Sequence, residues 1–130
     1  MPAVFAVRHQ VFVVEQGVPP ELERDEFDVV AVHLAALRGD DVIGTLRIVV
    51  VGGTAKIGRM AVLPGDRKSG IGSRLMSRAD EIASMMGVRD IMLHAQLTAK
   101  AFYARLGYRE EGEVFEEAGI PHVTMRKVIG

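Results

Sequence analysis

Arg67-Lys68-Ser69-Gly70-Ile71-Gly72-Ser73 lies between an apolar run, Met60-Ala61-Val62-Leu63, and a strongly helical pattern. Two glycines and two adjacent cations at the start of a helix suit an anionic ligand. Gly70 and Gly72 carry no Cβ, so main chain can approach a ligand closely there. The first N–H groups of a helix have no partner within it, and the helix dipole is positive at that end. A pyrophosphate would satisfy both, with charge-assisted hydrogen bonds from Arg67 and Lys68. The bland alternative is a tight turn with Ser69 capping the helix. The spacing is not that of a P-loop, which needs Gly-Lys-Ser/Thr, nor the G-x-G-x-x-G dinucleotide pattern.

Charge elsewhere is just as uneven. Between Glu15 and Asp28 lie six acids (Glu15, Glu21, Glu23, Asp25, Glu26, Asp28) and one base, Arg24. Between Glu110 and Glu117 lie five acids and no base. Residues 67–78 carry four bases and no acid. A solvated face explains any one cluster. Together, a basic segment beside a glycine turn and an acidic segment elsewhere suit a polyphosphate donor and a cationic co-substrate. Glu23 and Asp25 are the candidate contacts to that cation.

The elements that must position these groups read as a mixed fold. Residues 3–16 read as a helix ended by Gly17. Asp28 to Arg38 and Val42 to Val51 read as a hairpin across Gly39-Asp40-Asp41, and Ala55 to Leu63 as a third strand stopped by Pro64. Residues 71–86 carry the clearest helical stripe (Ile71, Leu75, Ala79, Ile82, Met86), with Gly87 as its C-cap. A strand at Arg89 to Ala95, a helix at Thr98 to Leu106 and strands near 108–114 and 123–129 complete the order. This is an α/β arrangement of the α+β kind: a mixed, mostly antiparallel sheet with helices on both faces.

The 130 residues, 14.2 kDa in mass, fit one domain over 1–130, and no repeat or linker divides them. A net charge of −1 argues against a nucleic-acid binder. No apolar run approaches the roughly 20 residues of a membrane helix. The opening MPAVFAVRHQ has no basic segment ahead of its apolar residues, so no secretory signal is expected, and the expected location is the cytoplasm. The absence of Cys excludes disulfides, thiolate metal sites and a thiol-borne acyl-enzyme. Four histidines without an H-x-x-x-H pair predict no metal site.

Arg67-x-x-Gly70-x-Gly72 after a strand ending in Ala-Val resembles the acyl-CoA signature of the GNAT superfamily of N-acetyltransferases. Ala99-x-x-Phe102-Tyr103-x-x-x-Gly107-Tyr108 resembles that superfamily's second signature. Val11-Phe12-Val13-Val14-Glu15-Gln16, His94-Ala95-Gln96 and Glu116-Glu117-Ala118-Gly119-Ile120-Pro121-His122 are similar to its ElaA-like branch, so the resemblance covers essentially the whole chain. The chain starts closer to the first matched helix than is usual in that branch. The resemblance implies the GNAT fold with a splayed central strand pair, acetyl-CoA as co-substrate and no metal. It implies that main chain at Met60, Ala61 and Val62 bonds the pantetheine arm, and that the amides of Arg67, Lys68, Ser69, Gly70, Ile71, Gly72 and Ser73 hold the pyrophosphate. Tyr103 falls on the tyrosine that often protonates departing CoA. Gln96 falls where many relatives carry Asn.

Direct transfer to an amine poses one further chemical problem. A lysine-like amine of pKa ~10.4 is neutral in only about one molecule in 2,500 at pH 7, a handicap near 4.6 kcal/mol. A base must remove that proton. The candidates are His94, on the strand lining the implied cleft, and Glu15, with His122 as a wall of the acceptor site. The expected activity is acetyl transfer from acetyl-CoA to a primary amine, in a small molecule or a peptide, without nucleic acid or membrane, and with a homodimer as the superfamily's common assembly. Three rivals share these residues. One is a non-catalytic acyl-CoA-binding or regulatory module. Another is an acyltransferase like the acyl-homoserine-lactone synthases, suggested by Arg8, Phe12 and Glu23-x-Asp25-x-Phe27-Asp28. The third is an interaction domain using a sheet edge.

Overall fold

The computed structural model describes residues 2–130. Helix α1, Pro2–Arg8, runs without interruption into wider π-helical turns at His9–Glu15. Gly17, at φ 74°, ends the pair. A short helix α2, Pro20–Glu23, follows. Strand β1 begins only at Val32 and ends at Arg38, not at the expected Asp28 start. The reason is local. The Asp25 carboxylate accepts from the Phe27 amide and the Asp28 carboxylate from the Asp25 amide, which folds Glu26–Val29 into a 3₁₀ turn. Short carboxylates offer the main chain an alternative to a strand ladder.

The remaining strands are β2 (Asp41–Val51), β3 (Thr54–Val62), β4 (Asp90–Gln96), β5 (Arg109–Glu117) and β6 (Ile120–Val128). Helix α3 is Ile71–Met85 and α4 is Lys100–Arg105, the latter preceded by a 3₁₀ turn at Leu97–Ala99. One six-stranded sheet has the order β1-β2-β3-β4-β6-β5. Only β3 and β4 are parallel. Strands β5 and β6 run longer than their sequence pattern suggested. They meet in a two-residue turn, Ala118-Gly119, with φ of 53° and 77°, the geometry tight hairpins favour. Strand β5 hides its alternation because it is an exposed edge, and acids occupy both of its sides.

The two faces of the sheet are covered differently. Leu46, Ile48, Ile57, Ile91 and Leu93 pack with Leu75, Met76, Ala79 and Ala83 of α3 and with Tyr103 of α4. On the other face, Val7 and Val11 of the first helical segment pack on Ala61, with Phe12, Val42 and Leu63 around them. Among the described residues no helix is long and apolar enough to cross a membrane.

Candidate active site

The site grows from a defect in the sheet. Strands β3 and β4 are paired from Thr54↔Asp90 to Ile57↔Leu93 and no further, although β3 continues to Val62 and β4 to Gln96. Just past that point β3 carries a bulge. Arg59 and Met60 lie opposite the single residue Leu46, between the pairs Gly58↔Arg47 and Ala61↔Thr45. Arg59 takes a left-handed φ of 53°. A bulge bends and twists the strand that holds it, and here the bulged strand parts from β4. The outcome is a V-shaped opening between 58–62 and 94–96.

At the outer end of β3 the chain passes a 3₁₀ turn, Pro64–Asp66, and enters α3 through Gly70. Gly70 sits at φ 79° as the N-cap, and no side chain caps the helix among the described residues. Ser69 does not cap it: Gly70 is the N-cap residue, and the Ser69 hydroxyl donates back to the Asp66 carbonyl at 2.7 Å. The leading amides of α3 therefore face outward from an exposed bend at Arg67–Gly70. A Cβ built on Gly70 meets nothing within 4 Å, which leaves the approach open. Gly72 has a different reason to be glycine: a Cβ there would lie 3.2 Å from Phe102 Cζ and 3.7 Å from Met60 Cε. It lets the start of α3 seat on α4 and β3.

Arg67 is already engaged. Its Nε donates to the Val62 carbonyl at 2.9 Å, and its two Nη atoms donate to the Glu15 carboxylate at 2.7 and 2.6 Å. That bidentate pair holds the Glu15 carboxyl below its usual range. A carboxylate so held is a poor base, which sets Glu15 apart from the histidines. Tyr103 is 8% exposed on the α3 side of the sheet, and burial pushes its hydroxyl up to about 12.

The other mouth of the V lies on the face of α1. Gln96 Nε2 donates to Gln16 Oε1 at 2.9 Å, tying β4 to the end of the π-helical turns. His94 Nδ1 lies 2.8 Å from Glu117 Oε1, and His122 Nε2 lies 3.7 Å from Glu117 Oε2. His122 pairs in register with Gln96 across β4–β6 and with Phe115 across β5–β6. The fold thus gathers His94, Gln96 and His122, three of the residues singled out in the sequence. It adds Gln16 and Glu117, which lie inside the quoted motifs but carry no isolated signal of their own.

Glu23 and Asp25 are taken up by arginines. Glu23 is 4% exposed, and its Oε2 accepts from Arg8 Nε at 2.8 Å. Asp25 accepts from Arg47 at 2.6 and 2.9 Å and from Arg59 at 3.2 Å. Asp28 accepts from Arg8 and Arg47, both at under 3 Å. Glu23, Asp25 and Asp28, three of the acids that suggested a cationic co-substrate, are paired within the protein by three arginines distant in sequence. Hydrogen bonds from Arg47 hold Asp25 below the ordinary carboxylate range. For Asp28, burial pushes upward, but bonds from Arg8, the Asp25 amide and Arg47 outweigh it and hold the carboxyl low. Depressed folded values stabilise the protein above the unfolded pKa of about 3.9, and that stability is lost as pH falls through the folded values. The urea midpoint should therefore be level from pH 7 to 5 and drop steeply below about pH 4. A midpoint that stays level down to pH 3 would contradict the network.

Residues 6–129 match the acetyltransferase (GNAT) domain family. The chain belongs to the GNAT family. This GNAT acetyltransferase is 38% identical over 124 residues to the uncharacterized N-acetyltransferase YjcF of Bacillus subtilis, covering 95% of this chain and 89% of that one. The crystal structure of Escherichia coli ElaA superposes with a TM-score of 0.86 at 30% identity, covering 98% of this chain and 88% of that chain. An acyl-CoA N-acyltransferase from Pseudomonas aeruginosa superposes with a TM-score of 0.88 at 34% identity, over 98% and 89% of the two chains. The GNAT chain is accordingly an acyltransferase, and its sheet, helices and parted strands are those of the acyl-CoA N-acyltransferase fold.

Proposed function

We propose that the enzyme transfers an acetyl group from acetyl-CoA to a primary amine by direct attack, with the two substrates entering the V from opposite faces of the sheet. One observation carries this reading. The unpaired stretch of β3 leads from the uncapped start of α3 to the gap beside His94 and Gln96. Main chain at Met60, Ala61 and Val62 would take the pantetheine arm as an added strand. The Ile71, Gly72 and Ser73 amides, with Lys68, Ser69 and the Gly70 bend, would take the pyrophosphate. Arg67 would release the Val62 carbonyl to the arm. Tyr103 lies on the α3 side and His94 on the α1 side, which suits a donor and an acceptor that meet through the sheet. The acceptor's ammonium gives one proton to a base, its lone pair attacks the thioester carbon, and the C–S bond breaks as the C–N bond forms. The second amine proton ends on the CoA sulfur.

Charge at the bend is the direct test. Asp tolerates the left-handed region better than most residues, and the space beside Gly70 is open. Gly70→Asp should weaken CoA binding at least tenfold, about 1.4 kcal/mol, in isothermal titration. Gly70→Asn, of equal size without the charge, should stay within a few-fold of wild type. Equal affinity for both variants and wild type would remove the phosphates from this bend. Release of free thiol from acetyl-CoA across a panel of primary amines then reports the acceptor, and no turnover with any of them would favour the non-catalytic binding module.

A further inference from the structure

Glu117 is shared by two imidazoles whose ring protons follow from their hydrogen-bond partners. His122 Nδ1 lies 2.6 Å from the Ile120 carbonyl. A carbonyl only accepts, so Nδ1 carries the hydrogen and Nε2 points toward Glu117 Oε2 at 3.7 Å. The Glu117 carboxyl is held below its usual range, first by the hydrogen bond with His94, against a smaller upward push from burial. An ionised carboxylate only accepts, so His94 Nδ1 also carries its hydrogen. In the neutral ring that places the lone pair on Nε2 of His94. Phe115 packs edge-on against His94 at 4.9 Å and stacks on His122 at 6.0 Å, which restrains both rings. His94 bonds Glu117 of β5, and the other charged or titratable groups acting on that carboxylate are His122 of β6 and Lys56 of β3. Among the described residues no such group is spaced to hold a metal ion.

We infer that Glu117 is the positioning residue for amine deprotonation: it fixes the Nδ1–H form of His94, so that Nε2 takes the acceptor's proton. The inference rests on the reading of His94 as the base. The amine N–H bond breaks, its proton joins the Nε2 lone pair, and the resulting imidazolium is held by the Glu117 carboxylate until the proton passes to solvent. A carboxylate that sets a histidine tautomer can be worth orders of magnitude in rate.

The experiment needs no acceptor at first. In ¹⁵N-labelled protein, long-range ¹H–¹⁵N correlation should show His94 with a pyrrole-type Nδ1 and a pyridine-type Nε2. Glu117→Leu, which removes the acceptor, should shift His94 to the Nε2–H tautomer while His122, held by the Ile120 carbonyl, keeps its form. A wild-type His94 protonated on Nε2, or a tautomer unchanged in Glu117→Leu, overturns the inference. In the thiol-release assay, with the most active amine of the panel, Glu117→Gln should lower kcat by about 10–100-fold with an unchanged KM for acetyl-CoA. His94→Ala should lower it at least as far. If His94→Ala is inactive and Glu117→Gln is not slowed, only the role of Glu117 fails. If His94→Ala works at the wild-type rate, the base reading itself fails and the inference falls with it.

Discussion

Arg8→Met is expected to cost about 3–5 kcal/mol of folding stability, a size typical of removing one partner from a buried ion pair. Arg8 is 1% exposed in the wild-type protein. Its guanidinium donates to the Glu23 carboxylate at 2.8 Å, to the Glu23 carbonyl at 2.9 Å, and to the two Asp28 oxygens at 2.7 and 3.1 Å. Met preserves the apolar stem and deletes every donor. Glu23 then keeps only the longer contact to Arg59 at 3.3 Å, and Asp28 keeps Arg47. Two carboxylates remain desolvated with too few donors, and the lost partner cannot be replaced by water without opening the packing of α1. Arg78→Met is the control, because the Arg78–Glu81 pair is exposed and such pairs contribute at most about 1 kcal/mol. Urea unfolding at pH 7 measures both. A loss under about 1 kcal/mol for Arg8→Met would mean that the network is ornamental. The same variant should disturb the site, since α1 runs directly into the turns that carry Glu15 and Gln16.

Tyr103→Phe should lower kcat by about 10²-fold or more while CoA affinity and stability stay close to wild type. Phe retains the ring contacts, at 5.0 Å to Phe102 and 6.0 Å to Tyr108, so packing is not what changes. In the proposed mechanism, what changes is a donor for the sulfur that leaves. With its hydroxyl pushed up to about 12 by burial, Tyr103 is protonated at every working pH. A phenol near 12 is a much weaker acid than a thiol of about 8.5. In the proposed mechanism it would donate a hydrogen bond to the thiolate charge as it develops, in a site drier than water, rather than surrender a proton early. Thiol-release kinetics beside isothermal titration of CoA separates the two effects. A variant with wild-type kcat would leave Tyr103 as a packing residue, and a variant that loses CoA affinity would place its hydroxyl in donor binding instead.

The legible parts of the protein were those with local causes. The stripe of α3 needs only its own residues, and Leu75 and Ala79 are buried as their spacing requires, whereas Met86, read as the stripe's last member, lies past the helix end and is exposed. The glycine bend is legible for the same reason: a left-handed N-cap at Gly70 is a demand on one residue. The hairpin at Gly39 and the stop at Pro64 follow the same logic. The π-helical turns at His9–Glu15 were not legible, because one extra residue per turn leaves composition unchanged. Nor was the start of β1, where two side chains outcompete a strand that the apolar run favoured.

The sequence by itself determined the glycine bend ahead of α3, the chain order of the six strands and the exclusion of thiol chemistry, since each depends on residues near one another in the chain or on composition. Only the tertiary structure decided that the acids at 23, 25 and 28 belong to Arg8, Arg47 and Arg59, and that Glu117 belongs to His94. Those partnerships lie 15 to 36 residues apart. They depend on strand register, which a bulge resets: the ladder of β5 and β6 shifts between Glu111 and Phe115, and a one-residue slip would turn Phe115 and Glu117 to the opposite face.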